Sequence, residues 1–103
     1  MKKAEKFARE YGSAERVDWV RRQPCVACGH GPSENAHVRT GGMGRKADAC
    51  WVAPICTPCH ATLHRIGAKS FEAAHQIDLD HEAAITDARW AVHVAQQTPT
   101  PRP

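Results

Sequence analysis

The 103-residue sequence predicts a small α+β domain, with one core over residues 24–69 and helices before it and after it. Three observations predict it. Residues 2–22 and 70–97 have helical composition, with cap and stop residues at helical boundaries. Residues 24–69 are instead rich in Gly, Pro and polar side chains, with two short strand-like patches and too little apolar surface for a large core. Within that stretch four of the five cysteines form two C-x-x-C pairs, Cys25/Cys28 and Cys56/Cys59, with 27 residues between the pairs. Something other than burial must hold the middle together. One domain therefore covers residues 1–97, and the polar, Pro-rich stretch 98–103 is expected to be a disordered tail.

KKAEKFAREY reads as a first helix, ended by Gly12 at a position that favours positive φ. Ser13 then caps a second helix, AERVDWVRRQ, which stops at Pro24 and carries a short apolar stripe of Val17, Trp19 and Val20. From Pro24 to Lys46 turn residues dominate, with a strand-like patch at Ala36 to Arg39. Residues 50–55, CWVAPI, predict a second short strand. TPCHATLHRIG predicts a helix with Pro58 in its first turn and Gly67 just beyond its end. Ser70 and Asp80 are the expected N-caps of two more helices, roughly 71–77 and 81–97, the second docking through Ala84, Ile85, Ala88, Val92 and Ala95.

A C-x-x-C turn sets two thiolates at the spacing of a tetrahedral zinc site, and two such turns complete the ligand set. Cys25, Cys28, Cys56 and Cys59 are therefore expected to hold a structural Zn2+. Such sites supply roughly 10–16 kcal/mol of apparent binding free energy in finger peptides, enough to replace the missing core. A thioredoxin-like redox pair would need one C-x-x-C in a βαβ context, not two. Disulfides would need an oxidising compartment, yet MKKAEKFARE is charged and lacks the apolar run of a signal peptide, so a reducing cytoplasm is expected. No segment approaches the roughly 20 apolar residues that span a bilayer, and no membrane partner is expected. Cys50 has no partner at knuckle spacing and reads as a small buried apolar residue. His30, two residues past Cys28, is a substitute ligand only if one of the four cysteines is not used.

Charge is uneven. The formal net charge is +3, but residues 1–24 hold seven Lys/Arg against four acids while residues 70–103 hold two against five. This permits a polyanionic partner such as nucleic acid, although ordinary solvated faces explain it equally well. His60 and His64 are four apart on the predicted helix, so both rings project from one face and can share a metal ion. A third histidine, His37, stands in the first strand-like patch, where a strand, turn, strand, helix order would bring it across from that helix.

The pattern CVACG, then AHVRTGGMGRKAD, then VAPICTPCHATLH resembles the HNH endonucleases, most closely the small phage and prophage members that include the YbcO-like and Ref-like nucleases. The resemblance covers about residues 16–79. It implies a zinc-stabilised ββα-metal core, also described as a His-Me finger and treble-clef-like, in a bacterial host cytoplasm with DNA as partner. It further implies that His37 is the general base and that His60 and His64 hold a catalytic divalent metal (Mg2+, Mn2+, Ni2+ or Zn2+) at the scissile phosphate. Imidazole suits the first role, since it can be neutral and basic near pH 7.

Where many members have a metal-ligating Asp or His before the base, this sequence has Ala36. Either the two histidines hold the ion with water and phosphate oxygens, or Asn35 or Asp48 compensates as a ligand instead of stabilising the loop, or the site has lost activity; backbone pinning is the preferred role for Asp48. Arg39, Arg45 and Lys46 flank the Gly-rich turn and are candidate nucleic-acid contacts. The glycines alone are explained as well by a hairpin that needs positive φ. Trp51 and Trp90 read as packing residues, and His75, His81 and His93 as solvent-exposed. The expected function is a metal-dependent DNA endonuclease; the alternative is a catalytically inactive, zinc-stabilised nucleic-acid-binding or adaptor module. So small a domain offers little contact area, so either weak specificity alone or specificity conferred by a dimer or a partner protein is expected.

Overall fold

The computed structural model describes residues 2–38 and 47–97. Two helices, α1 (Lys3–Tyr11) and α2 (Ala14–Arg21), precede strand β1 (Ser33–His37); a 3₁₀ turn (Ala49–Trp51) leads into strand β2 (Val52–Cys56), and α3 (Thr57–Ile66), α4 (Ala68–His75) and α5 (Leu79–Gln97) follow. The result is a small α+β domain with a two-stranded sheet and flanking helices. Among the described residues no helix is long and apolar enough to cross a membrane.

The junction between α1 and α2 forms as its residues dictate. Gly12 has φ +86°, and the Ser13 hydroxyl accepts a hydrogen bond from the Arg16 N–H at 3.1 Å, capping α2. A Cβ on Gly12 would stand 2.9 Å from Cδ of Arg16. That side chain cannot swing clear, because Arg16 is 2% exposed and its Nη2 donates to Asp87 Oδ1 on α5 at 3.1 Å. Gly12→Ala is therefore expected to destabilise the fold by on the order of 1–3 kcal/mol, from backbone strain and the clash together, as read from the urea midpoint. An unchanged midpoint would mean that the junction has another conformation open to it.

β1 and β2 pair antiparallel, with Ser33 opposite Cys56 and His37 opposite Val52. Every residue of β2 is buried, so both faces of this strand are covered, which is why VAPIC reads as a continuous apolar run. One cluster gathers Ala36, Val38, Ala53, Ile55, Leu63, Phe71, Leu79 and Ala83 around Cys25 and Cys56. The second packs Trp19, Val20 and Val52 against Trp90, with the Trp19 and Trp90 rings 5.5 Å apart. Trp51 packs on the edge of the first cluster.

Four local expectations need correction. β1 starts three residues before the patch expected at Ala36 to Arg39, because Ser33 anchors its start with a hydroxyl hydrogen bond to the Gln23 carbonyl at 2.7 Å. The first residues of the second expected strand, Cys50 and Trp51, are instead in the 3₁₀ turn. Ser70 lies inside α4, whose N-cap is Gly67, and α5 is capped by Asp78, whose Oδ1 accepts from the His81 N–H at 3.1 Å. Lastly, α5 docks through Leu79, Ala83 and Thr86, with Trp90 following, and leaves Val92 57% exposed. A polar residue can face the core there because the Thr86 hydroxyl is satisfied by the Glu82 carbonyl at 2.8 Å, and the Arg16–Asp87 pair fixes the rotation of the helix.

His75 lies half-buried with its ring 4.5 Å from Phe71, and His93 is half-buried against Trp19 and Trp90; only His81 is fully exposed, so two of the three tail histidines pack where exposure was expected.

Candidate functional site

Two groups of side chains meet on α3. The first begins with the turn after α2, where Cys25 N–H donates to the His30 carbonyl at 2.9 Å and Gly29 N–H to the Cys25 carbonyl at 2.9 Å, Gly29 holding φ +79°. Val26 N–H donates to the Pro54 carbonyl at 3.0 Å, which hangs this knuckle on β2 beside Cys56. Cys56 ends β2 and Cys59 lies in the first turn of α3, near the positive end of the helix dipole. The four sulfurs all lie within 4.8 Å of one another, the Cys28 and Cys56 Sγ atoms 3.6 Å apart, and all five cysteines are free of disulfides. Among the described residues this is the one group of three or more such side chains close enough to hold a metal ion.

The thiols titrate as a crowded set. Burial pushes the Cys25 thiol up, but backbone N–H groups at Cys56, Cys28 and Ala27 outweigh it and bring it down to about 7. Burial raises Cys59, and hydrogen bonds among the sulfurs raise it further; Cys56 is also raised, chiefly by burial. Without a metal, Cys25 thus ionises more readily than Cys56 and Cys59.

The second group lies about 100° around α3, which is the angle between successive helical residues. His60 Nδ1 is 2.8 Å from Glu34 Oε1, and His60 Nε2 is 3.0 Å from His64 Nε2. A carboxylate only accepts, so His60 Nδ1 carries the proton and its Nε2 faces His64. That hydrogen bond also holds the Glu34 carboxyl below its ordinary value. Two ligands about 2.1 Å from one ion and about 90° apart stand about 3.0 Å from each other, so this spacing fits a shared metal, with Glu34 orienting one ligand through its far nitrogen.

His37 sits at the end of β1, and its Nε2 lies 2.7 Å from the Glu10 carbonyl of α1. A carbonyl also only accepts, so Nε2 carries the proton and Nδ1 keeps its lone pair. The Tyr11 ring stands 5.0 Å from the imidazole and helps to fix its plane. His37 and His64 line one cavity of about 250 Å3, floored by Leu63 and Leu79.

The remaining candidates fall elsewhere. Asn35 Nδ2 donates to the Val17 carbonyl at 3.1 Å, tying β1 to α2, and its buried Oδ1 has no hydrogen-bond partner. Asp48 makes no capping hydrogen bond to the 3₁₀ turn; its Oδ1 lies 3.8 Å from Arg9 Nε of α1. Arg39, Arg45, Lys46 and the 98–103 tail lie outside the described residues. Cys50, expected to be buried, is exposed, because the 3₁₀ turn directs it outward from the core; His30 is also exposed and is not one of the clustered ligands. Glu34, Glu10 and Tyr11 were missed. Strand alternation offered a signal for the first: Glu34 is two residues before Ala36 and shares its face, the one that α3 covers.

A protein-family match covers residues 3–93, and its description is a protein of unknown function, DUF968. The chain belongs to the DUF968 family. This corrects the resemblance to the HNH endonucleases, since the match over nearly the whole chain is to DUF968. Paired C-x-x-C turns and an i, i+4 histidine pair follow from ligation geometry and recur in unrelated families, so they do not establish descent. The DUF968 chain is also similar to the uncharacterized protein YdfU of Escherichia coli (strain K12), 41% identical over 49 residues, which are 45% of this chain and 14% of that protein. It thus spans a small fraction of that relative's length. No solved structure matches it.

Proposed function

We propose that this DUF968 protein is a metal-dependent DNA endonuclease that carries one structural and one catalytic metal. The observation that carries the reading is the convergence of His60 and His64 Nε2 atoms, 3.0 Å apart, beside the cavity that His64 shares with His37. On this reading β1, β2 and α3 form a zinc-stabilised ββα-metal, treble-clef-like core. Cys25, Cys28, Cys56 and Cys59 hold a Zn2+ that has no chemical role, a donor set of four thiolates being the usual closed, structural one.

His37 removes the proton from the attacking water through Nδ1, its Nε2–H remaining on the Glu10 carbonyl throughout. The proton passes to the imidazole as the new P–O bond forms, and the P–O3′ bond opposite it breaks, the leaving 3′ alkoxide taking its proton from solvent water. His60 and His64 would hold a divalent ion, which would supply charge stabilisation at the phosphate. Glu34 holds the His60 ring so that Nε2, not Nδ1, faces the substrate side. Arg39, Arg45 and Lys46 serve as phosphate contacts, and their positive charge attracts the backbone.

Glu34→Ala is expected to weaken metal binding at the histidine pair about 10–100-fold, the usual consequence of losing the partner of a ligating imidazole. Calorimetric titration with Ni2+ on zinc-loaded protein reads it. Equal affinity in the variant would remove Glu34 from the site.

A non-cleaving nucleic-acid-binding module is the second reading, and Ala36 favours it. This residue is wholly buried opposite Ala53, so β1 offers no ligand there and α3 supplies only two. Plasmid cleavage separates the two readings. Protein with zinc retained in the cysteine cluster is treated with a mild chelator and then given Mg2+, Mn2+, Ni2+ or Zn2+. Cleavage that depends on the added ion is the expected result; folded protein that binds the plasmid and cuts it with none of the four supports the binding module.

A further inference from the structure

We propose that α1 is an arm that binds a nucleic-acid backbone and that the same helix, by docking on His37, holds the base in its working tautomer. The inference rests on the endonuclease reading and deepens it, joining substrate binding to the competence of His37.

α1 is unusual among the helices in having no buried residue. Lys3 and Lys6 are exposed along it and Lys2 at its N-cap, and over residues 2–11 four cations stand against two acids. Of those acids, Glu10 is paired with Arg9 at 4.0 Å. A helix with so little burial contributes little to the core, and its surplus positive charge complements a polyphosphate chain. Its ties to the body converge at one end and on one neighbourhood: the Glu10 carbonyl on His37 Nε2 at 2.7 Å, the Tyr11 ring 5.0 Å from His37, and Arg9 3.8 Å from Asp48. Lys2 and Lys6 are one helical turn apart, and Arg9 continues their stripe toward Asp48. A strand lying along that stripe would therefore press α1 onto the base. Glu10 and Tyr11 are positioning residues, since they act through His37.

Two measurements on the full chain test the two halves. Binding of a 30-base-pair duplex of random sequence, without added divalent ion, is followed by fluorescence anisotropy over a range of salt concentrations. The triple variant Lys2→Gln, Lys3→Gln, Lys6→Gln is expected to lose about tenfold in affinity at moderate salt, and its log–log salt slope to shrink by roughly 2–3, about 0.9 for each lost phosphate contact. A slope equal to that of the unaltered protein overturns the arm, while leaving the endonuclease reading intact. If the unaltered protein itself shows no salt-dependent binding, the reading beneath the inference fails with it.

For the second half, imidazole 15N shifts of His37 are recorded at pH 8, with a substrate-free sample of the unaltered protein as reference. That sample should show a single tautomer with Nε2 protonated. Arg9→Gln combined with Tyr11→Ala loosens α1 and should give a mixture of tautomers, with the circular dichroism of the domain otherwise unchanged. Retention of the single Nε2–H form in the variant would show that α1 does not set it. Should the double variant unfold, Tyr11→Leu alone, which keeps an apolar side chain at the position, provides the same readout.

Discussion

Cys56→Ser is expected to lose the metal and the fold together. Cys56 closes β2, opens α3 and lies in the core cluster that also contains Cys25 and Ile55. Its sulfur is 3.6 Å from that of Cys28, which belongs to the other knuckle, so the residue joins the two halves of the ligand set. The apolar core is small, and structural zinc contributes roughly 10–16 kcal/mol in peptides that fold around it, more than the whole stability of most domains. Removal of one thiolate should therefore leave a chain without cooperative unfolding, with zinc below the detection of atomic absorption and the far-ultraviolet dichroism of β2 and α3 reduced. A variant that keeps one equivalent of zinc and melts normally would show that the cysteines are not the ligands.

The same cluster gives a pH dependence. Metal binding requires thiolates, whereas in the metal-free cluster burial and the neighbouring sulfurs hold Cys56 and Cys59 above their ordinary value, while Cys25 is lowered, to about 7. Protons therefore compete with the metal at Cys56 and Cys59 throughout the neutral range, and at Cys25 once the pH falls below about 7. Affinity should rise with pH and fall on acidification, most steeply below that point, where a further proton must be displaced. Zinc release followed with a chromophoric chelator between pH 8 and pH 5 should record it.

Legibility of the chain was uneven for physical reasons. Gly12, Ser13, Pro58 and Gly67 each impose a local geometry that no distant residue has to supply, and α1, α2 and α3 begin or end at them. The cysteine cluster was legible too, because knuckle spacing is a property of the local chain. The docking face of α5 was not. Its apolar residues suggested Ile85 and Val92, but the burial of Arg16 against Asp87 and the self-satisfied Thr86 turn another stripe inward, and neither is visible without the partner helix. The histidine pair was legible as a spacing, whereas Glu34 and the Glu10 carbonyl reach their histidines across 26 and 27 residues of sequence. Motif order likewise suggested a family that the match to DUF968 over residues 3–93 does not support. Local ligation chemistry can be read from spacing; descent cannot.

His37→Ala is expected to abolish most cleavage while leaving the metal cluster in place. General-base catalysis by a positioned side chain contributes typically 10²–10⁴-fold, so cleavage should fall by about that factor with the ion and the DNA unchanged. His37 is half-buried beside the cavity floored by Leu63 and Leu79, and the variant loses its hydrogen bond to Glu10, worth about 1 kcal/mol in stability, together with its contact with the Tyr11 ring. The melting temperature should fall by only a few degrees, zinc content should remain one per chain, and duplex affinity should change far less than the cleavage rate. Unaltered cleavage in the variant would exclude His37 as the base. If zinc and fold were instead lost with activity, His37 would be a structural residue, and the cavity it shares with His64 would have no base in it.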